Sequence, residues 1–285
     1  MNRSCPTGAA TARAPIYEST SAHIAGSQMS AFTTALQTYT GQRFDSYRAL
    51  HDFSVREYRT FWTCFVQWAH GLEWSGSAEP ACVGDKCEHA TFFPGIELSY
   101  ADSLLGLSIA PADAPAITAC HADGRRLRLT RGELRERVAC LGDALKQLGV
   151  REGDRVVGVM RNDADAIVTA LAVTAIGATL STAAPEMGVE TLLDRFTQLA
   201  PRLLFAHTEA RAFDTGMPVA DKIAALAAAL PSLEGIVSLD GGLLSVSVIQ
   251  PVHPLTALIT SGEAQRFTWK RFAFNHPLFI MFSSG

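Results

Sequence analysis

The sequence predicts an α/β fold: a mainly parallel sheet with helices on both faces, preceded by a helical N-terminal extension. Three observations carry this. From Leu105 onward, segments with apolar residues at helical spacing alternate with short aliphatic runs, an alternation that calls for right-handed crossovers between parallel strands. Before Leu105 the pattern is helical and aromatic, without a comparable strand series. The last eleven residues, Asn275 to Gly285, read as a buried strand entering a short, hydroxyl-rich turn, which is how a parallel sheet presents backbone N–H groups and hydroxyls to an anion.

Length and composition set the bounds. A chain of 285 residues can bury a sizeable core as one large or two modest domains. Its 48% hydrophobic and 18% charged content suits a globular protein with a well-buried sheet. A net charge of -4 supplies no basic field, so neither nucleic acid nor an anionic membrane is an expected partner. Ala166 to Ala184 contains no charge and is long enough to suggest a membrane span. Thr169, Thr174, Gly177, Thr179, Ser181 and Thr182 interrupt it, however, and it divides into a buried helix and a following strand. Six cysteines (Cys5, Cys64, Cys82, Cys87, Cys120, Cys140) are scattered through a chain without a secretory signal, which points to reduced thiols and a cytoplasmic setting. Cys82, Cys87 and His89 are the one cluster with metal-like spacing; no second half-site follows, so a surface loop is expected and no metal site.

In chain order, residues 1–13 have the Ala, Thr, Ser, Gly and Arg content of an organelle transit peptide but no amphipathic arginine face, and are expected to be a disordered tail. Residues 14–105 form the extension. Ser54 and Glu57 have capping-box spacing, and the helix they would start carries Tyr58, Phe61, Trp62, Phe65 and Trp68 at three- and four-residue intervals. Such a stripe signals packing, here against the main domain. Residues 106–285 form that domain. Thr130 and Glu133 make a second capping box, Leu134, Val138, Leu141, Leu145 and Leu148 lay down one apolar face, and Gly149 ends the helix. A strand from Arg155 to Met160 follows, then a helix Ala164 to Ile176, a strand near Thr179, a helix Val189 to Leu199 and a strand Arg202 to Phe205. A helix from Val219 to Leu230, closed by Pro231, leads to a strand Gly235 to Leu239. Asp240 to Gln265, with Gly241-Gly242 and two prolines, reads as a loop or short hairpin before Phe267-Thr268-Trp269 re-enters ordered structure.

Candidate chemistry is sparse. No local Ser/His/Asp or Cys/His spacing is present, and no Gly-x-Gly-x-x-Gly follows a strand, so no catalytic residue is assigned and a nicotinamide-binding fold has no support. His276 beside Pro277 is expected to be a structural histidine at a strand entrance. Asp194 and Arg195 are expected to form a surface or helix-to-sheet ion pair.

The stretch Phe274-Asn275-His276-Pro277-Leu278-Phe279-Ile280-Met281-Phe282-Ser283-Ser284-Gly285 resembles the opening of the ATP-phosphate loop of the adenylate-forming acyl-CoA synthetases, and among them the acetoacetyl-CoA synthetases. Further segments are similar to the N-terminal extension of acetyl- and acetoacetyl-CoA synthetases: Ile24 to Met29, Tyr47 to His51, Phe93-Pro94-Gly95, and Leu98 to Asp102. Ser99-Tyr100-Ala101-Asp102-Ser103 stands where that family more often has Asn-Tyr-Ala-Glu-Asn. The resemblance continues through Asp165 to Val168, Ile176-Gly177-Ala178, Leu192 to Phe196 and Ala200 to Phe205. It lapses at Leu180 to Gly188, where the family's Trp-Ser-Ser-Cys-Ser-Pro-Asp-Phe-Gly is replaced, and no coenzyme A contact is carried over.

The resemblance implies an ATP-dependent acid–thiol ligase. A carboxylate, acetoacetate above others and acetate or propionate as narrower variants, would form an acyl-adenylate, and coenzyme A would then displace AMP. Ser283, Ser284 and Gly285 would bind ATP phosphate, with ATP, Mg²⁺ and coenzyme A serving the full-length enzyme. Because the loop would continue Thr-Thr-Gly-x-Pro-Lys, the chain resembles an N-terminal fragment, expected to be inactive alone and to expose an unfinished sheet edge. A non-catalytic remnant of the same fold is the alternative.

Overall fold

The computed structural model describes residues 17–86, 88–212, 214, 216–242 and 248–283. The expected tail, Cys5, Cys87, Ser284 and Gly285 lie outside the described residues. The chain divides into two compact units between Trp68 and Ala69.

The first unit contains α1 (Ser21–Ala25), α2 (Gln28–Thr40), α3 (Tyr47–Arg56) and α4 (Tyr58–Trp68). Hydroxyls of Thr20, Ser27 and Ser46 begin the first three by accepting the N–H groups of His23, Ser30 and Ala49. Phe32, Leu36, Leu50, Phe53 and Cys64 form its core. The ring of Phe32 meets Phe61 and Phe65 edge-on at 5.2 and 5.4 Å, so the aromatic stripe is packing. The capping box expected at Ser54 and Glu57 is not formed. Ser54 lies inside α3 and donates its hydroxyl to the His51 carbonyl at 2.7 Å, while Glu57 closes that helix. Ser46 supplies the earlier cap, Leu50 and Phe53 bury the resulting face, and the Ser54 hydroxyl settles for its own helix backbone.

The second unit opens with β1 (Trp74–Gly76), β2 (Cys82–Val83), β3 (Thr91–Phe92), β4 (Ile96–Leu98) and α5 (Tyr100–Leu105). An antiparallel hairpin of β5 (Pro115–Cys120) and β6 (Arg126–Thr130) leads into α6 (Arg131–Gln147). Then come β7 (Arg155–Val159), α7 (Ala164–Ala175), β8 (Thr179–Ala183), α8 (Val189–Thr197), β9 (Leu203–Ala206), α9 (Val219–Ala229) and β10 (Gly235–Ser238). Last are β11 (Val252–Pro254), α10 (Leu255–Ser261) and β12 (Phe272–Ala273). The central sheet runs β11-β10-β9-β7-β8, parallel throughout.

Period-two alternation splits the core by faces. Val156, Leu203, Phe205 and Val237 pack with residues of α6, α7 and α10. Their neighbours Val157, Leu204, Ala206 and Ile236 pack with α8 and α9. The sheet is therefore covered on both faces, as the alternating sequence requires. At the head of α6 the Thr130 and Glu133 box is complete, with the Thr130 N–H donating to the Glu133 carboxylate at 2.8 Å. The charge-free stretch 166–184 is divided between α7 and β8, and among the described residues no helix is long and apolar enough to cross a membrane.

Two expectations are corrected. Residues 240–265 contain β11 and α10 in addition to loop. β11 is three residues long, lies at a sheet edge and includes Pro254, a position where the missing N–H costs nothing. The terminal run is also not a buried strand. Leu180 donates its N–H to the Leu278 carbonyl at 3.0 Å and accepts from the Ile280 N–H at 3.0 Å, which aligns the run parallel beside β8 at the sheet edge. Ile280 and Phe282 pack on the α8 and α9 side, whereas Phe279 is 40% and Met281 87% exposed. The pleat sends alternate side chains to opposite faces, and one of those faces is open among the described residues.

Candidate functional site

Parallel sheets receive ligands beyond the carboxyl ends of their strands. Here that edge is formed by the segments following β7, β8, β9 and β10 and by the terminal segment that leads to Ser283. It has two chemically distinct corners.

The first corner follows β7, β9 and β10. Asp163 begins α7 by accepting the Ala166 N–H at 3.0 Å, and its other oxygen lies 2.8 Å from Nε2 of His207, which is 2% exposed. Nδ1 of His207 accepts the Arg161 backbone N–H at 3.0 Å, so in this arrangement the ring proton sits on Nε2 and is donated to Asp163. The Arg161 guanidinium donates to Asp214 at 2.8 Å and to the Glu209 carbonyl at 3.0 Å, and lies 3.7 Å from Asp240. Asp240 in turn accepts the backbone N–H and the hydroxyl of Thr208 at 2.9 and 2.8 Å.

These contacts set the acidities. Burial pushes the Asp163 carboxyl upward, but the His207 hydrogen bond and the Ala166 N–H outweigh it and hold the group below the ordinary carboxylate range. Asp240 is likewise held low: burial opposes, and the Thr208 and Glu209 donors prevail. Asp165 is raised, first by burial and then by the negative charge of Asp163. A cavity of about 720 Å³ opens beside this corner, lined among others by Cys120, His121, Arg125, Arg161, His207 and Arg211. Both nitrogens of His207 are engaged, so the dyad fastens two strand ends together and leaves no free base. Sequence reading missed this pair. Its local signals are an aspartate at a helix start after β7 and a histidine directly after the apolar run of β9.

The second corner follows β8 and the terminal segment. Lys222 of α9, 4% exposed, donates to the Pro185 carbonyl at 2.7 Å and holds the loop before α8. Ser283 is exposed immediately after Phe282. Arg195 does not make the expected ion pair with Asp194. Its guanidinium lies 5.5 Å from the centre of the Phe282 ring and 3.4 Å from the Met187 sulfur, because a helical side chain leans toward the helix start and carries the charge back along α8.

Other sequence candidates are placed plainly. His276 donates Nε2 to the Gly177 carbonyl at 2.8 Å and stacks on Phe272 at 4.8 Å, a structural role as anticipated. Cys82 is buried and the His89 N–H closes a turn on the Lys86 carbonyl. Among the described residues no group of three or more His, Cys, Asp or Glu is placed to hold a metal ion.

Residues 109–285 match the family described as AMP-binding enzyme. The chain belongs to that family. This AMP-binding family member is 33% identical over 269 residues to the acetoacetyl-CoA synthetase of Mus musculus, covering 90% of this chain and 39% of that protein. It is 34% identical to the acetoacetyl-coenzyme A synthetase of Rhizobium meliloti, covering 86% of this chain and 37% of the relative. The solved acetoacetyl-CoA synthetase from Streptomyces lividans superposes with a TM-score of 0.84 at 30% identity, covering 93% of this chain and 41% of that one. The chain thus spans roughly two-fifths of the length of the relatives it matches.

Proposed function

We propose that this stretch of chain serves acyl-adenylate chemistry as the phosphate-receiving part of an ATP-dependent acetoacetate–CoA ligase, with Ser283, Ser284 and Gly285 opening the phosphate loop. The observation that carries the reading is the docking of Leu278 to Ile280 beside β8, which delivers Ser283 to the carboxyl edge of a parallel sheet. The names of the relatives supply the substrate class. In the first step the acid's carboxylate oxygen attacks the α-phosphorus of ATP and pyrophosphate leaves; in the second the coenzyme A sulfur attacks the acyl carbon and AMP leaves. Both steps concentrate negative charge, and this chain's part is to offer hydroxyl and backbone donors to the phosphates. The described residues offer no cluster of three or more His, Cys, Asp or Glu for Mg²⁺, which would enter with the nucleotide and neutralise part of its charge.

A polypeptide of these 285 residues carries three positions of the loop. Loss of one oxyanion-type donor alone costs about 3–4 kcal/mol, so this polypeptide by itself is proposed to be inactive in ligation. A second reading, a non-catalytic domain of the same fold, draws support from the altered run Leu180 to Gly188, in which Leu180 is fully buried and Met187 packs beneath Arg195. Reading the coding DNA beyond the Gly285 codon separates the two. An in-frame Thr-Thr-Gly-x-Pro-Lys, followed by acetoacetate-dependent release of pyrophosphate from ATP by the encoded protein, supports the ligase; a stop codon favours the non-catalytic domain.

A further inference from the structure

We propose that Arg195 is the guanidinium that pairs with a polyphosphate held at Ser283; this rests on the reading of Ser283 as the opening of a phosphate loop. Among the described residues the Arg195 guanidinium contacts a sulfur and a ring and no carboxylate, although Asp194 is its immediate neighbour. It has instead been carried to the carboxyl edge of the sheet. Met187, which it touches at 3.4 Å, precedes α8, and Phe282, over which it lies at 5.5 Å, precedes Ser283. A thioether and an aromatic face are weak partners for a cation, worth about 1 kcal/mol at a half-exposed site. They fix the plane of the group and leave most of its five N–H donors unspent, the arrangement that suits bidentate capture of phosphate oxygens. Arg161 in the neighbouring corner differs in its charge partners, with Nη2 bonded to Asp214 and a carbonyl and the group facing Asp240. Ser283 follows Phe282 in the chain, so the guanidinium lies beside the ring that immediately precedes it. A dense tetra-anion gains more from pairing with that charge than a monocarboxylate does.

The test uses the 285-residue chain at low ionic strength, titrated in separate calorimetric experiments with inorganic pyrophosphate and with ATP. Both ligands are expected to bind, because the shared feature is the polyphosphate, and Arg195→Met is expected to weaken each by about tenfold. In the unaltered chain, the Arg195 Nε–H resonance, assigned by its loss in Arg195→Lys, is expected to shift on adding pyrophosphate. Undiminished binding by Arg195→Met, or an unmoved Arg195 resonance while pyrophosphate binds, overturns the role of Arg195 and leaves the Ser283 reading standing. Absence of binding by the unaltered chain overturns the Ser283 reading and the inference with it. The shift is read on the unaltered chain, with Arg195→Lys used for the assignment alone, so the outcome holds even where Arg195→Met is unstable.

Discussion

The two corners of the carboxyl edge use similar residues to opposite ends. After β7, β9 and β10, an arginine, a histidine and three aspartates are matched partner to partner: Arg161 with Asp214 and Asp240, and His207 with Asp163. After β8 and the terminal segment, Arg195 rests on a sulfur and a ring, with Ser283 exposed nearby. Ion-paired groups fix backbone; a guanidinium resting on a sulfur and a ring keeps its charge available to a ligand.

The comparison can be broken first at Arg161. Arg161→Met removes the guanidinium between Asp214 and Asp240, whose side chains are only 16% and 10% exposed and keep the donors of Arg211 and Thr208, and a loss of about 3 kcal/mol is expected in urea unfolding. A loss below about 1 kcal/mol would show that the corner is not locked. Asp163→Ala removes a helix cap and the partner of a buried histidine at once, and about 2–3 kcal/mol is expected by the same measurement. Acid sharpens the point. Asp163 and Asp240 have lowered folded-state values, so their stabilisation is present above the unfolded carboxylate value near 3.9 and disappears as pH falls through the lower folded values. Asp165, raised, runs the other way and partly offsets them. Thermal melts between pH 6 and pH 2 should therefore show a steeper acid decline for the unaltered chain than for Asp163→Asn. Arg195→Met is expected to cost less again, about 0.5–1 kcal/mol, because it breaks no ion pair. Met281→Lys, on the open face of the terminal segment, should leave unfolding unchanged while lowering self-association in light scattering.

Much of this fold is legible in the chain, and the legible parts share a cause. From Thr130 to Leu239 each helix and strand lies within a few residues of its expected position, because both faces of the sheet are covered and local periodicity reports burial directly. The failures come where a longer-range partner decides. Ser54 and Glu57 have the right spacing for a cap, but α3 had already begun at Ser46. β11 is defined by pairing with β10 and is too short to show a period. The terminal run is as apolar as a central strand, yet among the described residues it pairs with β8 alone. At the candidate site, the apolar run leading to Ser283 is readable. The His207 and Asp163 pair is not, since 44 residues separate the partners, and neither is the direction of the Arg195 side chain, which depends on Phe282.

A single residue, Leu180, fastens the terminal segment through both its N–H and its carbonyl. The partners are roughly one hundred residues apart along the chain, so their meeting closes a long loop, whereas β7, β8, β9 and β10 can assemble from nearer neighbours. As the protein is synthesised, the sheet can exist before Leu278 to Ile280 has emerged. The terminal segment is then a late arrival on a sheet already formed, its amides are expected to exchange with solvent ahead of those in β7 and β9, and Ser283 gains its place in the molecule only when that docking occurs.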